Sequence, residues 1–438
     1  EISACLVGSE MCIRDRLSGM LQLMFNAVDI IVVGRFTGST ALAAVGSTTA
    51  LISTFTNLFI GVSLGANVLA ARFYATGKAK EMSETVHTAI ALAAISGVVM
   101  CIIGIAAARE ALVLIDTPDD VIGQAALYLR LYFCGMPFFM LYNYGAAILR
   151  AVGDTKRPLM YLIIAGSTNA VLDLVLVIIF KMGVAGVAIG TVTSQLISCI
   201  LVIRCLMTTE SDYKLRIRDL RIRKYYLLQI LSVGLPAGIQ STVINFSNVL
   251  LQSSVNSFGE IAMAGYTAAN NILGFLYVSV NSITQACMSF TSQNYGVRKF
   301  KRMDKVLIDC MILSVIVSVV IGGGSYILGR QILGIYTNQS EVIECGMEIL
   351  SISTIPYFLC GIMDMLPGAM RGVGYSAVPM VLSIVGTVGT RLVWIYGVFP
   401  SHRSLYELFI SYPASWFITI VMQAICLVFV RKKVRNKE

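Results

Sequence analysis

Asp29, Asp173, Asp309, Asp364 and Arg391 stand inside apolar stretches of this chain. An ionised side chain at the centre of a bilayer costs ~2.5–3.5 kcal/mol on insertion scales, so a charge kept in such a stretch needs a partner or a task. Asn169 precedes Asp173 by four residues, which puts amide and carboxyl on one helical face. Asp29 comes six residues before Arg35, Asp173 eight before Lys181, and Thr191 eight after Gly183. At a rise of ~1.5 Å per residue, these positions share a depth in the outer half of the first bundle. Together they offer two carboxyl groups, an amide oxygen and a hydroxyl, a hard-oxygen set suited to Na⁺ or to a proton shared between crowded carboxyls. Asp364 lies seven residues before Arg371, in the inner half of the other bundle, out of reach of that set; it is a candidate for a second cation or substrate site. Asn143, in FFMLYNYGA, either joins the first cluster or bridges helices. Asp309 follows Lys305 by four residues and is explained by a place at the membrane interface.

The elements that must hold these groups are read from composition. Of 438 residues, 57% are hydrophobic and 13% charged, against roughly 25% charged in a soluble domain. The chain is an integral membrane protein, and each apolar run of ~20 residues reads as one helix. The runs are at about 17–33, 41–70, 86–107, 122–148, 159–180 and 184–207, then 227–255, 261–290, 306–328, 342–370, 377–398 and 405–430. The fold class is therefore all-α and polytopic, with twelve transmembrane helices. Lys and Arg concentrate in alternate short loops, in the 208–225 segment and in the tail, which predicts that both termini face the cytoplasm. The net charge of +9 resides in those loops, so it sets topology and does not point to nucleic acid. The eleven cysteines are scattered without metal-ligand spacing and read as inert buried thiols. No HExxH or paired-His motif occurs, which leaves enzyme chemistry with little to stand on. No cofactor is expected.

A repeat orders the spans. ILRAVGDTKRPLM (148–160) and AMRGVGYSAVPMV (369–381) align Arg150, Val152, Gly153 and Pro158 with Arg371, Val373, Gly374 and Pro379 at an offset of 221 residues. YATGKAKEM (74–82) meets YGVRKFKRM (295–303) at the same offset. Two matches in corresponding loops indicate duplication, hence two pseudo-symmetric six-helix bundles related by an axis along the membrane normal. Such an arrangement predicts a cleft that opens to one side at a time. In the repeated loops Arg can satisfy helix C-terminal carbonyls, Gly permits the turn and Pro starts the next helix. Pro137, Pro236, Pro356 and Pro367 fall inside spans, where a missing N–H permits a kink. Abundant Met, Phe and Tyr suit either lipid-facing packing or a cleft for aromatic cations.

The domains follow: residues 17–207 form an N-terminal six-helix lobe, 208–225 a cytoplasmic linker, 226–431 a C-terminal six-helix lobe and 432–438 a basic tail. Residues 1–16 are set apart, because SACLVGSEMCIRDR resembles translated sequencing-adapter sequence; they are expected to be a non-native leader that replaces the start of helix one.

With these features in place, LQLMFNAVDIIVVGRFTGSTALAAVG, ILRAVGDTKRP and its echo MRGVGYSAVP resemble the multidrug and toxic compound extrusion (MATE) family over about 17–430. The resemblance implies a monomeric secondary antiporter in the cytoplasmic (inner) membrane, embedded in the lipid bilayer. It would export small organic, often cationic and aromatic, compounds in exchange for Na⁺ or H⁺. Asp29, Asn169, Asp173 and Thr191 match the first-lobe cation site of the DinF-like branch. Asp364 resembles a second-lobe Asp of the NorM-type branch, but residues 227–255 contain no Asp or Glu to complete that site. A related architecture moves lipid-linked or polyprenyl-linked substrates as a flippase; that alternative calls for several basic residues, and Arg391 is the clear intramembrane cation here.

Overall fold

The computed structural model describes residues 17–25, 28–29, 31–33, 35–37, 39–114, 117, 119–337, 339–401 and 403–436. The leader read above, 1–16, lies outside them, as do the last two residues of the tail. No strand occurs among the described residues. That is the expected outcome for apolar runs of this length, because a helix satisfies its own backbone hydrogen bonds where lipid offers none.

The first helical segment, α1, comprises residues 17–25, 28–29, 31–33 and 35–36. It is followed by α2 (Ser39–Ala75), α3 (Ala79–Leu114), α4 (Asp119–Cys134), α5 (Met136–Ala151), α6 (Lys156–Leu174) and α7 (Val184–Thr208). Next come α8 (Lys224–Asn256), α9 (Glu260–Gly296), α10 (Phe300–Ile327), α11 (Gly329–Tyr336), α12 (Ser340–Thr354) and α13 (Tyr357–Val373). The chain closes with α14 (Ala377–Ser383), α15 (Thr390–Val393) and α16 (Leu405–Arg435), so the last helix continues into the basic tail. Nine described helices are long and apolar enough to cross a bilayer, and counting two bent pairs as single spans gives eleven. With α1, these are the twelve spans of a polytopic all-helical protein.

The bends have local causes. Between α4 and α5 the axis turns by 46°, with Gly135 at the break and Pro137 in the first turn of α5. Between α12 and α13 it turns by 46° at Ile355–Pro356. Proline cannot donate the hydrogen bond that would carry the helix across the junction. Pro236 and Pro367 lie inside α8 and α13, which pass through them without interruption.

Two compact units divide the chain between Gly238 and Ile239, inside α8, whereas charge patterning sets the linker at 208–225. The first part of α8 belongs to unit 1 for a packing reason. Gly61 and Gly65 on α2 face Gly234 and Gly238 on α8, and a Cβ added at Gly61 would sit 2.2 Å from the Gly238 Cα. Two small-xxx-small stripes thus bring backbones into contact that larger side chains would hold apart. The 208–223 segment is fastened to α3: the Arg216 amide donates to His87 Nε2 (3.0 Å), and Arg221 and Arg223 pair with Glu84 (2.6 and 3.1 Å). Within unit 1, α5 packs on α2, α3 and α7, and α6 packs on α7. Within unit 2, α9 packs on α10, α12 and α13, and α16 packs on α12 and α13.

The repeat is visible in backbone geometry. After α5, Gly153 (φ 89°) and Asp154 donate to the Arg150 and Leu149 carbonyls at 3.0 and 2.9 Å. After α13, Gly374 (φ 100°) and Tyr375 donate to the Arg371 and Met370 carbonyls at 2.8 and 2.9 Å. Both are the same paired C-terminal cap closed by a left-handed residue. A second pair follows α2 and α9, where Gly77 (φ 63°) and Arg298 (φ 55°) hold corresponding positions. The expectation that Arg371 serves helix carbonyls is corrected: its Nη2 donates to the Gln240 side-chain oxygen at 2.6 Å, because the guanidinium is buried among side chains.

Candidate functional site

Unit 1 brings α1, α6 and α7 together around the two acids predicted from sequence. Asp173 is fully buried and Asp29 is 8% exposed. Apolar side chains wrap them: Val32, Val33, Tyr128, Val177, Val184 and Val187 form one buried cluster with their neighbours. Asp29 and Asp173 face each other within hydrogen-bonding reach, and a direct bond between two carboxyl groups requires that the pair hold one proton.

The hydrogen bonds supplied to this pair are few and long. Asn169 Nδ2 reaches Asp173 Oδ1 and Oδ2, both at 3.3 Å. Thr191 Oγ1 lies 3.5 Å from Asp29 Oδ2 and 3.0 Å from the Val187 carbonyl oxygen. One hydroxyl carries one proton, and the shorter contact takes it. The hydroxyl lone pairs therefore remain free to face a cation beside Asp29. Asp29 Oδ1 is buried and, among the described residues, receives no hydrogen bond from an N–H or hydroxyl donor. No Lys or Arg forms an ion pair with either acid among the described residues. An ionised pair here would be held in an apolar setting without a counter-charge, which is unfavourable until a proton or cation arrives.

Local backbone features make this close approach possible. Gly190 on α7 faces Asp173, and a Cβ there would fall 2.1 Å from Oδ1. Immediately after α6, Val175–Ile179 form a π turn, the wider helical turn that recurs at functional sites. The i, i+4 tyrosines Tyr128 and Tyr132 of α4 also stand close to Asp29. Gln195, one turn beyond Thr191, reaches Tyr132. These neighbours were absent from the candidate set, although their spacing from each other and from Thr191 was the available signal.

The remaining candidates fall elsewhere. Asn143 is not drawn into the acid cluster, nor does it bridge helices: its Nδ2 donates to the Phe139 carbonyl one turn back in α5, at 2.8 Å. Asp364 lies half-buried on α13 in unit 2, where Arg371 and Tyr277 interact with it electrostatically. It therefore has a resident counter-charge that Asp29 and Asp173 lack. Asp309 is exposed, as an interfacial residue should be.

A duplicated helical chain with this many spans, and an uncompensated acid pair inside one of its bundles, has the build of a polytopic membrane transporter. The family description MatE matches residues 17–175 and 236–396, once in each half, and the chain belongs to that family. It is 28% identical over 417 residues to "Probable multidrug resistance protein YoeA" of Bacillus subtilis (strain 168), covering 93% of this chain and 89% of that one. It is 21% identical over 373 residues to "Multidrug export protein MepA" of Staphylococcus aureus (strain NCTC 8325 / PS 47), covering 84% and 81%. Its fold superposes with a TM-score of 0.90 on a Vibrio cholerae MATE transporter, at 17% identity and over 100% and 98% of the two chains. An outward-facing multidrug resistance MATE family transporter of the MOP superfamily gives 0.88, at 19% identity over 98% and 96%.

Proposed function

We propose that this protein is a secondary active multidrug efflux antiporter that exports organic cations and other toxic compounds in exchange for Na⁺ or H⁺ by alternating access. The observation that carries the coupling role is the Asp29–Asp173 pair: two buried carboxyls at mutual hydrogen-bonding reach, with no Lys or Arg paired to either among the described residues. Such a pair changes its electrostatics most when it gains or loses one positive charge. Asp29, Asn169, Asp173 and Thr191 hold the coupling ion in this reading. With both acids ionised the bundle attracts a cationic substrate; uptake of Na⁺ or H⁺ cancels that attraction, promotes release and favours return to the inward-facing state. The names of the relatives YoeA and MepA support multidrug export as the activity. The chain works as a monomer in the cytoplasmic membrane, with both termini on the cytoplasmic side as the Lys and Arg distribution requires.

The test is efflux of a cationic dye from proteoliposomes under separately imposed Na⁺ and H⁺ gradients. One of the two gradients should drive accumulation on the side opposite the ion's entry. Equal dye movement with neither gradient would overturn the antiport reading.

A further inference from the structure

Unit 2 buries a charge that the ion-coupling reading does not use. Arg391 is 3% exposed and sits in α15, a single turn held between two π turns, Ile384–Gly389 and Trp394–Val398. Its Nη1 donates to Asn248 Oδ1 at 2.8 Å. Its guanidinium carbon lies 4.3 Å from the centroid of the Tyr412 ring. Tyr266 and Cys360 are the other polar groups that interact with it. No described carboxylate forms an ion pair with it, and Nε is buried with no partner.

Each contact restricts what else the guanidinium can do. Asn248 occupies the Nη1 end and Tyr412 covers one face, which leaves the Nε/Nη2 edge. That edge presents two parallel N–H groups spaced to meet the two oxygens of a carboxylate. An arginine keeps its proton, so this charge cannot be relieved by deprotonation as a carboxyl can by protonation. Asn248 and the Tyr412 ring supply a neutral acceptor and a quadrupole, neither of which cancels a full charge. The arrangement anchors the guanidinium in a fixed orientation and leaves the carboxylate-matching edge unpaired.

We propose that the Nε/Nη2 edge of Arg391, positioned by Asn248 and Tyr412, is a carboxylate-binding subsite of unit 2, so that the transported compounds include ones bearing a carboxylate. The inference deepens the efflux reading by naming a substrate group. Its test needs no ion gradient, so failure of this subsite and failure of antiport are separate results.

The chain contains two tryptophans, and both adjoin the subsite. Trp394 directly follows α15, and the Trp416 ring lies 5.7 Å from the Tyr412 ring. Intrinsic fluorescence of the purified full-length protein in nanodiscs therefore reads occupancy directly. Hexanoate is titrated against its neutral counterpart hexanamide, with sodium gluconate and sodium chloride as ionic controls. A saturable change with hexanoate, and at least about tenfold weaker binding of hexanamide, is expected from loss of the charge-assisted pair. Arg391→Gln should abolish the difference between acid and amide. Arg391→Lys, which keeps the charge and loses the fork, should weaken hexanoate by about tenfold. Asn248→Ala, which leaves Arg391 in place but unanchored, serves where Arg391→Gln does not yield folded protein; it should weaken hexanoate and leave hexanamide unchanged. Equal binding of acid and amide by the parent protein would overturn the proposal. So would full hexanoate affinity in both Arg391→Lys and Asn248→Ala, or a response to chloride equal to that for hexanoate.

Discussion

Counted along the 221-residue repeat, Thr191 corresponds to Tyr412, and Ala170, next to Asn169, corresponds to Arg391. Unit 1 thus buries two carboxyls where unit 2 buries a guanidinium. The surrounding frame is shared: a π turn follows Asp173 at Val175–Ile179, and another follows Arg391 at Trp394–Val398. The same left-handed caps close the helices after Arg150 and Arg371. The two units thus share backbone geometry, while the buried charges they carry stand at different repeat positions and differ in sign. The difference is also one of reversibility. A carboxyl pair can be discharged by a proton or a small cation and charged again, as coupling requires, whereas a guanidinium stays cationic and can only gain or lose an anionic partner.

The comparison breaks first at the acids. Asp29→Asn and Asp173→Asn should each reduce ion-driven dye efflux by at least about tenfold, equivalent to ~1.4 kcal/mol, in protein whose membrane insertion is verified. Efflux at the parent rate in both variants would remove the coupling role from unit 1. Next in size is the contact that seats Asp173. Gly190→Ala places a methyl group 2.1 Å from Oδ1, and overpacking of this kind costs ~1–3 kcal/mol. Thermal melts should therefore shift down and efflux should fall several-fold. Gly389→Ala, beside Arg391, is the control from the other unit: nothing lies within 4 Å of its added Cβ, so its melt should hold or rise by up to ~1 kcal/mol through helix propensity.

A subtler break is Thr191→Val, which keeps the shape and removes the hydroxyl. Its only short hydrogen bond is to the Val187 carbonyl of the same helix, so the melt should be nearly unchanged. The ion concentration for half-maximal efflux should rise by about fivefold, the cost of roughly one hydrogen-bond equivalent. An unchanged half-maximal concentration would exclude Thr191 from ion binding. The smallest effects concern the frame: Gly77→Ala should destabilise and Arg298→Gly should stabilise, each by about 1 kcal/mol. Both residues occupy left-handed backbone (φ 63° and 55°), where a Cβ is unfavourable. Thermal melts read both.

The linear chain carried much of this. Leu17 and the apolar runs after it marked spans through composition alone, and the Asn169–Asp173 spacing put two site groups on one face before any tertiary contact was known. Depth along the membrane was equally legible for Asp29 and Thr191, because span boundaries fix it. Lateral position was not. Asn143 qualified by type and by membership of a span, yet its side chain turned back to its own helix, since neither composition nor depth fixes which way a helix is rotated.

The sequence by itself determined the number of spans, the duplication and the presence of acids too costly to leave in lipid without purpose, because hydropathy and helical rise are local properties. Tertiary structure alone decided that Asp29 and Asp173 meet, that Gly190 admits the carboxyl, and that Arg391 rests on Asn248 and Tyr412. Those outcomes depend on helix rotation and on contacts between different helices, several of them linking residues more than a hundred positions apart, which no local pattern encodes.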